Sequence, residues 1–345
     1  MEKRRNFMKL TAEKMAELSH GAVRVTEEDG KVNFHRFTEK QQSLYKNSGK
    51  ESRYLKTFAP AGIRLEFKTD SKSLFLKVNI PFAATRSYFC VDVLKDGEMI
   101  GNINNYHGED MSGDYVKKEY PLGSFEKSFY LGLGEKTVTI FLPWSVPTQI
   151  EELSIDDGSF TKAVKRDKKI LVFGDSITQG YDAENPSKHY TVKLAELLNA
   201  DIYNKAVGGE VFVPALVETE EDFVPDLIIV AYGTNDWSNA EACVFKKNCR
   251  EFYEALSRKY PSVKIFALTP IWRKDLDRQV KCGEFSFVSD YIYEVSQSLC
   301  NVYCIRGFDF VPHDEKMYAD LRLHPNNDGF KYFADNLFEA IKNMI

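Results

Sequence analysis

Residues 169–180 read Lys-Ile-Leu-Val-Phe-Gly-Asp-Ser-Ile-Thr-Gln-Gly: a short, almost wholly apolar run, a glycine, and then a serine. An apolar run of this length suits a strand buried on both faces. Four later stretches repeat the pattern: Asp201-Ile202-Tyr203, Leu227–Ala231, residues 263–268 and Val302–Ile305. Between them, apolar residues recur at helical spacing. One stripe is Phe245, Cys249, Phe252 and Leu256; a second is Val288, Tyr291, Ile292, Val295 and Leu299; a third runs from Phe330 through Phe333 and Leu337 to Ile341. Strand–helix alternation with buried strands predicts an α/β/α domain over residues 165–345, with a five-stranded parallel sheet.

Upstream the period is two. Ile63, Leu65 and Phe67 alternate with charged residues; Leu74, Leu76, Val78 and Ile80 follow at the same spacing after Asp70-Ser71, and Val138, Ile140 and Leu142 close the series before Pro143. Glu28-Asp29-Gly30 and Asp96-Gly97 are hairpin signals. Many short strands with hardly a helical stretch predict an antiparallel, jelly-roll-like β-sandwich over residues 21–164, one sheet face in water. The charged stretch 161–168 is the expected join. Residues 1–20 read as a short amphipathic helix or tail.

The composition removes several function classes. With 46 Lys+Arg against 51 Asp+Glu and no basic block, the chain lacks the charge pattern of a nucleic-acid binder. No run of about 18 apolar residues is present, so no bilayer-spanning helix and no membrane partner are expected. Nothing at the N-terminus resembles a signal peptide, so a cytoplasmic location is expected. The six cysteines, Cys90, Cys243, Cys249, Cys282, Cys300 and Cys304, form no C-x-x-C pair and are expected as buried, reduced thiols. No metal and no cofactor are expected.

In a parallel sheet the working residues lie on loops at the carboxyl ends of the strands. Ser176, just past the first strand, sits beside backbone N–H groups able to hold an oxyanion; helix capping is the plainer role for it. The second strand leads into Gly208-Gly209 and the third into Gly233-Thr234-Asn235-Asp236. Asn235 offers a neutral amide donor or simply a turn. His324 precedes Pro325, which holds it in an extended or turn conformation suited to a general base. Of the other histidines, His35 and His107 fall in the sandwich half, His20 in the N-terminal stretch and His189 at a helix start, while His313 is a minor competitor.

These four blocks, in order and one per strand end, resemble the SGNH (GDSL-like) hydrolase superfamily: Gly174–Ile177 as GDSI, the block with Gly209, Gly233–Asp236 as GTND, and Leu323–Asn326 as LHPN. The resemblance implies Ser176 as nucleophile, His324 as base, and an oxyanion hole from the Ser176 N–H, the Gly209 N–H and the Asn235 side chain. One departure stands out. The family's D-x-x-H acid position holds Leu321, with Asp320 one residue further off. In an extended chain Asp320 is out of reach of His324; in a turn, residues four apart approach closely enough for a Ser–His–Asp triad. The other arrangement is a Ser–His dyad oriented by a backbone carbonyl.

A sandwich preceding such a domain is similar to the architecture of carbohydrate esterase family two. That order implies a small-molecule or oligosaccharide ester as substrate, deacylated through an acyl-enzyme on Ser176. Tyr181 and Trp237, which directly follow two of the blocks, are the candidate sugar-stacking residues, ahead of Tyr190 and Trp272. The competing classes are a lipid esterase, thioesterase or other acyl hydrolase with the same machinery, and a non-catalytic glycan-binding protein.

Overall fold

The computed structural model describes residues 6–106 and 118–345; His107 lies outside the described residues. Over 165–345 the alternation resolves into five parallel strands, Lys168–Gly174, Ala200–Asn204, Leu227–Ala231, Lys264–Leu268 and Val302–Ile305. Their spatial order is second, first, third, fourth, fifth, so the chain reverses its winding beside the first strand. In open α/β sheets such a reversal marks the ligand-binding edge, and Ser176 follows directly at it.

Successive side chains of one strand serve opposite layers. Ile170 and Val172 pack with Tyr190, Leu194 and Phe333 from helices Tyr190–Leu198 and Asn327–Ile341. Leu171 and Phe173 pack with Phe245, Phe252 and Ile292 from helices Ala242–Lys259 and Phe285–Gln297. This is the α/β/α domain that the apolar runs predict.

The N-terminal half is two antiparallel six-stranded sheets among the described residues. They share one apolar core, with Phe34, Leu76, Val78 and Ile150 from one sheet against Leu65, Phe67, Val91 and Ile140 from the other. Both hairpin signals are two-residue turns with positive φ, Asp29 and Gly30 at 51° and 73°, Asp96 and Gly97 at 49° and 85°. Strand Phe7–Lys9 pairs with Gln149–Asp156, and helix Ala12–Leu18 buries Met15 and Leu18, so residues 7–18 pack into the sandwich. Strand Lys162–Ala163 joins the second sheet within the expected linker.

Three expectations need correction. Two helices, Glu39–Asn47 and Glu51–Lys56, interrupt the strand-rich half, the first opened by a Thr38–Gln41 capping box. Part of the polar face of the second sheet is not in water. Arg64, Glu66, Asp92 and Thr139 are buried, Arg64 reaching Asp201 at 3.3 Å and Asp92 accepting from Ser187 N–H at 3.0 Å, both across the boundary to the α/β domain. Polar residues alternate there because polar partners meet them. Finally, Cys90, Cys249 and Cys282 are buried free thiols, but Cys243 and Cys300 are exposed.

A buried arginine ties the halves together. Arg36 donates to Ala59 O at 2.6 Å, Lys56 O at 3.1 Å, Asn204 O at 3.0 Å and Ala206 O at 2.7 Å. Burial, which disfavours its charge, pulls its pKa down to about 9.

Candidate active site

The first strand stops at Gly174, where a Cβ would lie 2.4 Å from Thr178 Oγ1. Asp175 caps the short helix Ser176–Gln179, its carboxylate accepting the Ile177 N–H at 3.0 Å. Capping therefore falls to Asp175, and Ser176 is left at the first helical position with no acceptor for its N–H among the described residues. Burial raises the Asp175 pKa to about 7.

His324 Nε2 lies 2.9 Å from Ser176 Oγ, and Nδ1 lies 2.8 Å from Asp320 Oδ2. Asp320 reaches the ring because Leu321 takes φ +56° and tightens the turn. Its other oxygen accepts the N–H groups of Arg322, Leu323 and His324 at 3.0, 2.7 and 3.0 Å. Burial alone would raise the Asp320 pKa, but the hydrogen bond and charge of His324 outweigh it and hold the carboxyl well below its usual range.

A second carboxylate meets the same ring nitrogen, and the sequence reading missed it. Asp182 Oδ2 lies 3.2 Å from His324 Nδ1, and its side chain is fully buried. Arg86, from the sandwich, donates Nε to Asp182 Oδ1 at 3.0 Å and Nη2 to Oδ2 at 3.2 Å. Burial would lower the His324 pKa; Asp182 and Asp320 overcome it and raise the pKa to about 9. Asp182, Asp320 and His324 bring three potential metal ligands within 4.8 Å of one another. Every one of those atoms already has a protein partner, which suits an ion-pair network and assigns no metal.

The expected oxyanion donors follow three adjacent strands. Gly209 takes φ +81°, and its N–H meets no acceptor among the described residues. Asn235, on helix Thr234–Asn239, donates from Nδ2 to Glu210 O at 3.1 Å and so lies against the Gly209 loop. Helix Glu51–Lys56, missed in the sequence, holds that loop from behind. Arg53 donates to Gly209 O at 2.6 Å and to the buried Glu210 Oε1 at 2.5 Å, and Lys56 donates to Gly208 O at 2.9 Å. Gly208 N–H donates to Gln179 Oε1 at 2.7 Å, linking the loop to the Ser176 turn.

Of the aromatic candidates, Tyr181 is 5% exposed, its ring 5.6 Å from that of His324 and 4.8 Å from that of Trp144. Trp237 is corrected to a core residue. It is 0% exposed, packs on Phe285 and donates Nε1–H to Gly283 O at 2.9 Å, leaving no face for a ligand. Tyr190 is likewise buried, stacked on Phe333 with its hydroxyl on Thr178, and Trp272 packs between His313 and Tyr318. The proximity of Asp182 to the Gly174–Gly180 block was a local signal; Arg53, Lys56 and Arg86 carried none.

Residues 172–332 match the model of the GDSL-like Lipase/Acylhydrolase family. Comparison with curated protein sequences gives no match. Among solved structures, the salicylyl-acyltransferase SsfX3 from a tetracycline biosynthetic pathway is 19% identical, with 94% of each chain covered and a TM-score of 0.78. A Bacteroides ovatus protein described as a GDSL-like lipase is 19% identical over 98% of each chain, with a TM-score of 0.74. A family two carbohydrate esterase from Cellvibrio japonicus is 17% identical over 99% of each chain, with a TM-score of 0.64. At these identities the likeness is one of fold, and it extends over both halves.

Proposed function

We propose, from the match of residues 172–332 to the GDSL-like lipase/acylhydrolase family model, that the protein is a serine esterase that removes acetyl or another small acyl group from a carbohydrate. The observation that carries this reading is the hydrogen-bonded line Ser176–His324–Asp320, at 2.9 and 2.8 Å, beside donors from two neighbouring strand ends. His324 Nε2 takes the Ser176 hydroxyl proton as Oγ bonds to the ester carbon. The Ser176 and Gly209 N–H groups and the Asn235 amide hold the resulting oxyanion. Collapse breaks the bond to the sugar oxygen, which leaves with the proton from His324, and the acyl group stays on Ser176. Water, deprotonated by His324, then attacks the acyl-enzyme and releases the acid.

The carbohydrate half of the proposal rests on the two-part architecture, which the Cellvibrio japonicus esterase shares over nearly its whole length. Acetate release from acetylated oligosaccharides, with chromogenic esters of increasing chain length run alongside, tests it. Release of acetate and a fall in rate with chain length are expected. A preference for long chains would move the protein to the lipid esterases, and no turnover of any ester would remove the hydrolase reading.

A second reading follows from the acyltransferase neighbour: the same acyl-enzyme could hand its acyl group to an alcohol instead of water. Adding an alcohol acceptor to the assay separates the two, since transfer yields a new ester and hydrolysis only the acid.

A further inference from the structure

Three ionic groups from three parts of the chain meet at one histidine. Asp320 belongs to the C-terminal turn, Asp182 to the loop after the first parallel strand, and Arg86 to the sandwich loop between strands Ser73–Ile80 and Cys90–Lys95. A triad requires one acid to orient its imidazole; here two carboxylates face the single Nδ1. The shorter contact, 2.8 Å to Asp320, takes the hydrogen bond, and the longer, 3.2 Å to Asp182, adds charge.

Asp182 is built into place. It adopts φ +71°, a conformation that Asp tolerates better than most residues. Tyr88 hydroxyl donates to Oδ1 at 3.4 Å, Arg86 grips both oxygens, and the Arg86 guanidinium lies 5.4 Å from the centre of the Tyr181 ring. Trp144 fixes the same turn, donating Nε1–H to Ala183 O at 2.8 Å and accepting from Gln179 Nε2 at 2.9 Å. A buried carboxylate facing both a cation and an imidazole is costly unless both partners stay in place.

We propose that Asp182 is a second positioning carboxylate for His324, and that Arg86 of the sandwich sets how strongly Asp182 holds the imidazolium, so that the N-terminal half tunes the base of the α/β domain. This rests on the reading of His324 as the general base. The groups facing His324 are Asp182 and Asp320, with Arg86 behind Asp182, Asp175 beneath Ser176, and the Tyr181 ring. Removing a carboxylate weakens the protonated ring; removing Arg86 leaves the buried Asp182 with only His324 to balance it, which strengthens it. The two changes therefore act in opposite directions.

The test is an NMR titration of the His324 ring in the full-length protein without substrate, for wild type, D182N, D320N, R86Q and R86K, paired with the pH profile of ester hydrolysis. The midpoint is expected to fall by about one pH unit or more in D182N and in D320N, to rise in R86Q, and to return toward wild type in R86K. The acid limb of kcat/KM should move in the same directions. Each single carboxylate variant should lose roughly ten- to a hundredfold in kcat, and D182N/D320N more than the product of the two losses, because either acid partly replaces the other. A midpoint and acid limb unchanged in D182N would make Asp182 structural only and overturn the proposal. If D182N does not fold, R86Q decides, a rise supporting the proposal and no change overturning it. The titration needs no ester, so a failure of the esterase reading would appear as absent turnover with these shifts intact.

Discussion

The Arg53 guanidinium donates to the Gly209 carbonyl at 2.6 Å, so a side chain of the N-terminal half fixes the backbone of a loop at the edge of the parallel sheet. Its second bond goes to Glu210, whose side chain is 1% exposed. Removing the arginine would leave a buried carboxylate without its cation, a change that costs several kcal/mol in comparable pairs. Arg53→Gln is therefore expected to lower kcat by about ten- to a hundredfold through a displaced Gly209 N–H, with KM less affected. Steady-state kinetics on a short-chain ester, with circular dichroism to verify folding, checks this. Unchanged kcat would mean that the loop holds its shape without the sandwich.

Asn235→Ala should reduce kcat by about a hundred- to a thousandfold with little change in KM, because its bond to the oxygen strengthens as charge develops. A rise in KM alone would assign Asn235 to substrate binding, or to the support of the loop through Glu210 O.

Gly208 and Gly209 are adjacent but differ in what a side chain would meet. A Cβ on Gly208 would lie 2.7 Å from the Tyr181 ring, whereas one on Gly209 meets nothing within 4 Å. Gly208→Ala should push Tyr181 against its neighbours at a cost of about 1–3 kcal/mol in stability. Gly209→Ala should cost nearer 1 kcal/mol, from its positive φ alone. Urea unfolding of the two variants measures the difference, and equal losses would contradict the packing of Tyr181 on Gly208.

His189 gives a pH prediction. Its Nε2 lies 2.9 Å from Ile177 O, beside the Ser176 turn, and burial lowers its pKa to about 4. An unfolded chain binds the proton near pH 6.5, so between pH 6.5 and 4 the unfolded state holds more protons at this site, and stability falls as pH falls. His35, also lowered to about 4 by burial and Arg24, acts in the same sense. Asp175 and Asp236, both raised by burial to about 7, act in the opposite sense, so the wild-type curve alone does not isolate His189. The gap in Tm between wild type and His189→Gln does, and it should narrow from pH 6.5 to pH 4. A constant gap would contradict a neutral buried His189.

What the sequence disclosed was local. Each parallel strand is a short apolar run and each helix a stripe, so the α/β domain could be read from periodicity, and three of the four blocks sit within a few residues of their strand ends, the fourth lying just before the last helix. Asp320 was legible as a candidate because a turn can bring it to His324; the positive φ of Leu321 that makes the turn has no sequence mark. The pairs Arg86–Asp182 and Arg53–Gly209 span 96 and 156 residues, and no period or motif records such contacts. The same holds for the polar face of the second sheet. Alternation normally means water on one side, but here Arg64 and Asp92 alternate into the other domain's polar groups. Trp237 misled because it follows a motif block by one residue, and helix Thr234–Asn239 turns it into the core.

The most direct test of the account is covalent labelling of the Ser176 hydroxyl. Intact protein would be treated with a fluorophosphonate, digested, and mapped by mass spectrometry, with ester hydrolysis followed in parallel for wild type and Ser176→Ala. The account predicts a single adduct on Ser176, loss of activity in step with labelling, no adduct in the variant, and a fall in kcat of roughly a thousandfold or more in the folded variant. Full esterase activity in a folded Ser176→Ala protein, or inactivation with the adduct on another residue, would contradict it.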